Sequence, residues 1–305
     1  MKQYKINKIG ACIILFFGGF SAHFAAAQQP NNSKLKTSLQ KIITPYKAKV
    51  GVAIMHMEKR DTLTVLNELI YPMQSVYKFP LALAVLNLVD KKELQLEQLM
   101  YIMPSDLRTN TWSPMRDEHP NGDFEISVAK LIEYAITVSD NNACDLLFDL
   151  IGGTASLEQF LEDKNIANMS VKANEIEKSK GWEVQYKNNC TPYACIELLD
   201  GLYHNMIVTK ESSAFLFKTM EATATGANRI RGKISKNLAV AHKTGTGDTN
   251  KEGKTSAVND VGIVTLSNGD HVAISVFVSD SYETLENSEL IIAKIAKEVV
   301  KFYEN

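Results

Sequence analysis

The chain has 305 residues, 45% hydrophobic and 22% charged, an ordinary globular composition for one large domain or two lobes. Its formal net charge is −2, and it becomes −5 once a leader holding Lys2, Lys5 and Lys8 and no acid is removed; so acidic a chain lacks the basic surface that nucleic-acid binding needs. No C-x-x-C pair and no histidine cluster points to a metal.

In chain order, Lys2, Lys5 and Lys8 make a basic start, residues 9–20 are apolar, and Ala25-Ala26-Ala27 offers a small-residue cleavage site. Residues 1–27 therefore read as a secretory signal peptide, too short and wrongly flanked for a membrane span. Cleavage after Ala27 leaves residues 28–305 exported to the periplasm. No later apolar run approaches ~18 residues, so no membrane contact is expected after cleavage. Three cysteines remain. Cys144 lies in an apolar helical pattern and reads as a small buried hydrophobe. Cys190 and Cys195 are near enough in sequence to pair, but the favoured reading is no disulfide.

Residues 33–43 read as a short amphipathic helix. Residues 50–57 and 62–66 read as strands about the polar turn Glu58-Lys59-Arg60-Asp61. Residues 75–220 are expected to be nearly all helical. Val128, Leu131, Ile132, Ala135 and Ile136 recur at helical spacing after Ser127, a good N-cap. Leu146, Leu147, Leu150 and Ile151 form the next helix, ended by Gly152-Gly153. Residues 191–203 and 210–220 are further helices. Strands return at residues 238–246, 261–266 and 272–278, the last two joined by Ser267-Asn268-Gly269-Asp270, a strong hairpin signal. A helix over residues 283–303 carries Leu285, Ile292, Ile295, Val299 and Tyr303 along one side. The fold class that follows is α/β (α+β). The two ends meet in one antiparallel five-stranded sheet flanked by terminal helices (residues 28–70 and 222–305), with a helical lobe (residues 71–221) inserted. A small-molecule site is expected in the cleft between them.

The chemistry centres on Ser75. Lys78 follows three residues later, on the same helix face, and an apolar run follows both. A serine is a weak nucleophile that needs a neighbouring base, and a lysine in an apolar site can lose its proton far below its reference pKa of ~10.4. Downstream lie Ser139-Asp140-Asn141, between two helices, and Lys243-Thr244-Gly245, near a strand end. Each is weak alone: a helix-capping loop and a strand end explain them equally well.

Together, in this order and on these elements, the three motifs resemble the class A serine β-lactamases and penicillin-binding proteins. The resemblance covers essentially the whole mature chain. It implies that Ser75 is the nucleophile, Lys78 its neighbouring base, and Ser139 a proton relay to the leaving nitrogen. Asn141 would hold a substrate carbonyl, and Lys243 would face Ser139 and the substrate carboxylate. Thr244, Gly245 and Thr246 would line the strand edge along which substrate lies. The backbone N–H groups of Ser75 and Thr246 would form the oxyanion hole. No cofactor and no metal are implied; the only expected partner is a small-molecule β-lactam, and the expected state is a monomer.

The two families differ at a loop glutamate that activates the deacylating water. Class A β-lactamases carry it about 34 residues after the asparagine, and that place is Glu175; its bland reading is a solvated loop acid, since Glu177 and Glu183 lie close by. The arginine–aspartate pair usual in this loop is replaced by Ala173 and Asn188, and the water-holding place four residues after Glu175 is Ser179. With Gln74, Thr111-Trp112-Ser113-Pro114 and Leu150-Ile151-Gly152-Gly153-Thr154, these departures resemble the PER/VEB-type extended-spectrum and cephalosporinase branch. That branch implies Arg229 as a carboxylate-binding arginine and Trp112 as the aromatic at the cleft mouth. The expected function is hydrolysis of cephalosporins and penicillins. The alternatives are a small D-alanyl-D-alanine carboxypeptidase or other penicillin-binding protein, which lacks the glutamate, and a non-hydrolytic β-lactam sensor domain.

Overall fold

The computed structural model describes residues 30–304; the signal-peptide reading of residues 1–27 lies outside them. The chain opens with helix α1 (Pro30–Ile43), strands β1 (Lys49–His56), β2 (Asp61–Val65) and β3 (Tyr71–Pro72), and helix α2 (Lys78–Asp90). There follow β4 (Leu99–Ile102), α3 (Pro114–Glu118), β5 (Phe124–Ser127), α4 (Val128–Thr137), α5 (Asn141–Ile151) and α6 (Thr154–Asp163). Next come β6 (Met169–Ser170), α7 (Glu175–Lys178), β7 (Asn189–Cys190), α8 (Pro192–Tyr203) and α9 (Lys210–Glu221). The chain closes with β8 (Val240–Thr246), β9 (Thr255–Thr265), β10 (His271–Ser281) and α10 (Leu285–Glu304).

The main sheet has five antiparallel strands in the order β2-β1-β10-β9-β8. It is the middle layer of the molecule. Val50, Val52 and Ile54 of β1 and Val272, Ile274, Val276 and Val278 of β10 pack with Leu35 and Leu39 of α1 and Ile291, Ile292 and Ile295 of α10. The alternate residues Ala53, Met55, Ala273 and Phe277 join the core of the helical part. Period-2 alternation thus separates two faces that are both buried, which is why the strands read as continuous β-branched runs. Burying each of these aliphatic side chains is worth roughly 1.5–3 kcal/mol. At the centre of the helical core, α2 is buried from Lys78 through Leu86, apolar on all sides as a core helix is. Pro80 falls in its first turn, where backbone N–H groups have no helical partner. No helix among the described residues is long and apolar enough to cross a membrane.

Three expectations need correction, and the reading of the cysteines as unpaired holds. Residues 75–220 are not nearly all helical, because β4 pairs with β5 and β7 lies between β3 and β6. Strands of two to four residues are too short to display a period. β9 begins at Thr255, six residues before the expected start, and its early polar residues Ser256, Asn259 and Asp260 are fully buried. They are partnered inside: Asn259 donates to the Pro72 and Met73 carbonyls, and Asp260 faces His242 Nδ1 at 2.9 Å. Leu285 is 52% exposed, as the first residue of α10 ahead of that helix's first buried positions. Cys144, Cys190 and Cys195 are buried free thiols, the Cys190 and Cys195 sulfurs lying 3.7 Å apart.

Candidate active site

Ser75 lies in a 3-10 turn, Gln74–Tyr77, that runs straight into α2 at Lys78. Gln74 holds a positive φ of 48°, a conformation that costs a side-chain-bearing residue roughly 1–3 kcal/mol. Its buried amide keeps it there, donating to Gln185 Oε1 and Ser256 Oγ. The end of β8 presses on this turn. A Cβ on Gly245 would come 2.5 Å from Met73 O and 3.2 Å from Ser75 N, so no side chain fits there. Thr246 sits opposite Val258, and the next residue, Gly247, donates its N–H to Ala257 O. Antiparallel pairs alternate between bonded and non-bonded, so the Thr246 N–H points away from β9, from the sheet edge that β8 forms. Two backbone donors, Ser75 and Thr246, therefore belong to one strand end and the turn against it.

Lys78 is fully buried and gathers three acceptors: Ser139 O at 2.8 Å, Asn141 Oδ1 at 2.5 Å and Glu175 Oε1 at 3.4 Å. Ser139 has φ 59°. This left-handed turn sends its carbonyl to Lys78 and its hydroxyl to Lys243, whose Nζ donates to Ser139 Oγ at 3.0 Å. Asp140 caps α5 by accepting from Ala143 N, and it also accepts from Ser113 Oγ and Met115 N. It thereby anchors the loop that carries Thr111 and Trp112. Asn141 donates from Nδ2 to Thr111 Oγ1 at 2.8 Å, which leaves one N–H of its amide for another acceptor. Trp112 is 61% exposed; its Nε1 donates to Val138 O, and its carbonyl accepts from Asn141 N. It stands as a rim over the Ser139-Asp140-Asn141 turn.

Lys243 is fully buried at the centre of β8. Burial holds its amine well below the ordinary lysine range, and the positive charge of Lys78 adds to the effect against the opposing Asp260. Thr244 is buried, its hydroxyl 2.6 Å from that of Thr225.

Arg229 is 4% exposed, so it is no surface residue. Nη1 donates to Gly245 O and Asn259 O, Nε donates to Glu289 Oε1, and Nη2 donates to Thr246 Oγ1 at 2.6 Å. Four of a guanidinium's five N–H groups are thus engaged. Gly226 (φ 71°) makes this possible, since a Cβ there would meet Thr244 Cγ2 at 2.5 Å and Arg229 Cδ at 3.2 Å.

Glu175 is 6% exposed, unlike the solvated loop acid it could have been. Its backbone N–H donates to Asp145 Oδ1 at 2.8 Å, and its Oε1 accepts from Tyr77 OH at 2.6 Å. Lys178 Nζ lies 3.3 Å from Oε1 and 3.2 Å from Oε2. Burial favours the neutral acid, but Lys178 first, then Lys78 and the Tyr77 hydroxyl, outweigh it and hold the carboxyl down at about 2. Burial, with the negative Glu175 adding to it, pushes Asp145 up to about 6. Asn188 stands in for the missing ion pair at the loop neck. Its Oδ1 accepts from Lys172 N and Ala173 N, its Nδ2 donates to Ala173 O, and its carbonyl accepts from Met73 N beside the nucleophile turn. A neutral amide therefore closes the loop with three hydrogen bonds and no charge, and the backbone carbonyl of the same residue adds a fourth to the nucleophile turn.

Ser179, the expected water-holding residue, is turned away: it donates to Ile176 O and accepts from Arg108 Nη2. Sequence reasoning missed Tyr77 and Lys178, and met Thr111 and Asp145 only as parts of motifs, with no role given. Lys178 had a signal, a cation three residues after an acid. Tyr77 had none, because it reads as core. A cavity of 610 Å³ between α4 and α9, lined by Tyr134, Thr137, Phe215 and Lys218, contains none of the site residues.

Comparison with known proteins agrees with this arrangement. A model of the beta-lactamase enzyme family matches residues 34–303. The chain is 43% identical to beta-lactamase VEB-1 of Pseudomonas aeruginosa over 94% of its own length and 95% of that protein. It is 36% identical to the extended-spectrum beta-lactamase PER-1 of Pseudomonas aeruginosa over 97% of its length and 95% of that protein. The crystal structure of TLA-3 extended-spectrum beta-lactamase superposes with a TM-score of 0.88 at 45% identity, covering 90% of this chain and 100% of that one.

Proposed function

The chain belongs to the β-lactamase enzyme family as a class A member and hydrolyses β-lactams, giving antibiotic resistance, and we propose that it does so through an acyl-enzyme on Ser75. The observation that carries the reading is the junction at Lys78, where Ser139 O, Asn141 Oδ1 and Glu175 Oε1 all lie within 3.4 Å of one amine, three residues after Ser75. Ser75 Oγ attacks the lactam carbonyl and gives up its proton to the Lys78–Glu175 pair. The oxyanion rests on the Ser75 and Thr246 N–H groups. Ser139, polarised by Lys243, passes a proton to the departing nitrogen as the C–N bond breaks. Water, deprotonated by Glu175, then cleaves the ester and frees Ser75.

The site residues extend to substrate binding: Asn141 for a carbonyl, and Lys243, Thr244 and Thr246 for the carboxylate. Gly245 gives flat access along β8, Arg229 acts behind Thr246, and Trp112 forms the rim. The extended-spectrum names of the similar proteins support cephalosporins, beside penicillins, as substrates. Residues 28–305 form one catalytic domain, with the sheet-bearing lobe about 28–70 and 222–305 and the helical lobe about 71–221. It is exported to the periplasm after loss of residues 1–27 and works as a monomer. The test is intact-mass spectrometry with a penicillin. Wild type should show steady hydrolysis, and Ser75→Ala should show neither hydrolysis nor adduct. A lasting adduct on the variant moves the nucleophile elsewhere.

A further inference from the structure

α7 is a single helical turn, capped by Asn174, whose Oδ1 accepts from Glu177 N at 2.9 Å. Its i,i+3 spacing puts Glu175 and Lys178 on one face, and that face is turned inward. The Lys178 side chain is only 11% exposed, and its ammonium lies 5.1 Å over the Tyr77 ring. It reaches both oxygens of Glu175, at 3.3 and 3.2 Å, while Tyr77 OH donates to Oε1 and the nearest approach of Lys78, 3.4 Å, is also to Oε1. Oε2 therefore lies nearer to Lys178 than to Lys78, and the Tyr77 hydrogen bond goes to the other oxygen. Ser179 offers no help, since its hydroxyl is engaged by Ile176 O and Arg108.

A base must present a lone pair to the proton it removes, and it works best when its own affinity for protons is near that of its surroundings. A cation within ~4–6 Å of a carboxylate favours its charged form and so weakens it as a base. We propose that Lys178 gates deacylation: its ion pair with Glu175 must open, the ammonium swinging off the Tyr77 ring, before a water can be deprotonated for attack on the acyl-enzyme. In acylation Glu175 acts through Oε1 beside Lys78, so cover on Oε2 bears chiefly on the second half of the reaction. Release of the acyl group is then the slow step for substrates that acylate well. The other charged or titratable groups around Glu175 are Lys78 at the start of α2, Tyr77 in the preceding turn, and Cys144 and Asp145 of α5, with Arg108 paired to Asp145. Of these, Tyr77 donates to Oε1, and Lys78 comes no nearer to either oxygen than 3.4 Å. The depressed Glu175 carboxyl, with Lys178 its largest lowering influence, agrees with the gate.

The proposal rests on Glu175 being the base of deacylation. Its test is pre-steady-state hydrolysis of a chromogenic cephalosporin by Lys178→Met, which keeps an apolar stem over Tyr77 and removes the charge. The burst that reports acylation should keep its rate. Deacylation should quicken by roughly 3–10-fold, a small part of the ~10²–10⁴-fold range of a general base. The acid limb of the deacylation pH profile should move up by ~1 unit or more, as loss of a neighbouring cation requires. Lys178→Arg keeps the charge and should keep that limb low, whatever it does to the rate. Unmoved deacylation and an unmoved limb in Lys178→Met overturn the gate. Slower deacylation with an unmoved limb also overturns it and makes Lys178 a support for the loop. Glu175→Gln separates the two readings. If it turns over like wild type, the base assignment has failed and the gate with it; if it stalls while Lys178→Met is unchanged, the gate alone has failed.

Discussion

Arg229 donates an Nη2 N–H to the hydroxyl of Thr246 at 2.6 Å. The threonine oxygen is thereby an acceptor toward the arginine, and its own proton is free for a third group. Thr246 is exposed at the strand end, whereas Arg229 is buried behind it. The arginine therefore works through the threonine more than by open charge.

Thr246→Val should raise KM for cephalosporins more than it lowers kcat, which is the mark of an interaction made equally in ground and transition states. One charge-assisted hydrogen bond of this kind is worth roughly 1.5–3 kcal/mol. Arg229→Ala should do the same and also lower the melting temperature, because Gly245 O, Asn259 O and Glu289 all lose a donor. The double variant should be little worse in KM than either single one, as coupled partners are. Normal kinetics in Thr246→Val beside a large loss in Arg229→Ala would mean that the last guanidinium N–H meets substrate directly.

Glu175→Gln keeps shape and removes basicity. Stopped-flow with a cephalosporin should show one equivalent consumed and then turnover slower by ~10²–10⁴-fold, with the acyl-enzyme visible in the mass spectrum. Normal turnover would make Glu175 a bystander.

Because burial holds Lys243 well below the ordinary lysine range, KM for carboxylate-bearing β-lactams should climb on the alkaline side before pH reaches ~10.4. As pH rises through its lowered pKa, Lys243 loses the charge that attracts the carboxylate. The stability sign is opposite. A lysine that holds its proton less tightly when folded contributes more stability as pH rises through that window. Lys243→Arg stays charged throughout, so its KM profile should lose this limb. A KM profile identical in both proteins would assign carboxylate binding to other donors.

Asn188→Ala should destabilise the fold by roughly 1–3 kcal/mol for each buried group left unpaired, counting Lys172 N, Ala173 N and Ala173 O. It should also slow deacylation more than acylation, since the loop it closes carries Glu175. Denaturant melts and burst kinetics read the two effects separately. Equal slowing of both steps would place its influence on the nucleophile turn, by a shift of the backbone carbonyl that accepts from Met73 N.

Much of this was legible in the residues. The strand and helix order follows from runs and periods that the final packing respects, because the sheet is buried on both faces. Ser75, Lys78, Ser139, Asn141 and Lys243 are weak signals singly and took their expected roles from the family that the three motifs together resemble; the fold brings Lys78, Ser139, Asn141 and Lys243 into contact. What stayed hidden depends on how the chain turns in space. Ser179 has the right place but the wrong direction, fixed by Arg108 from 71 residues away. Arg229 has the right type, but its burial comes from the β9 carbonyl of Asn259 and from Glu289 of α10, which no local pattern links to it. Tyr77 looks like core because all but its hydroxyl is core.

The left-handed backbone at Ser139 sets evolution a conflict. A residue with a side chain held at φ 59° costs the fold roughly 1–3 kcal/mol, and glycine would relieve it. Glycine would also delete the hydroxyl that Lys243 holds. Selection for stability alone therefore pulls this position toward the one replacement that removes the hydroxyl Lys243 holds. On the proposed mechanism, drift toward a more durable protein here would be drift toward a silent one. Any lineage that keeps the serine must find its stability elsewhere, in the two hydrophobic cores on either side of the sheet.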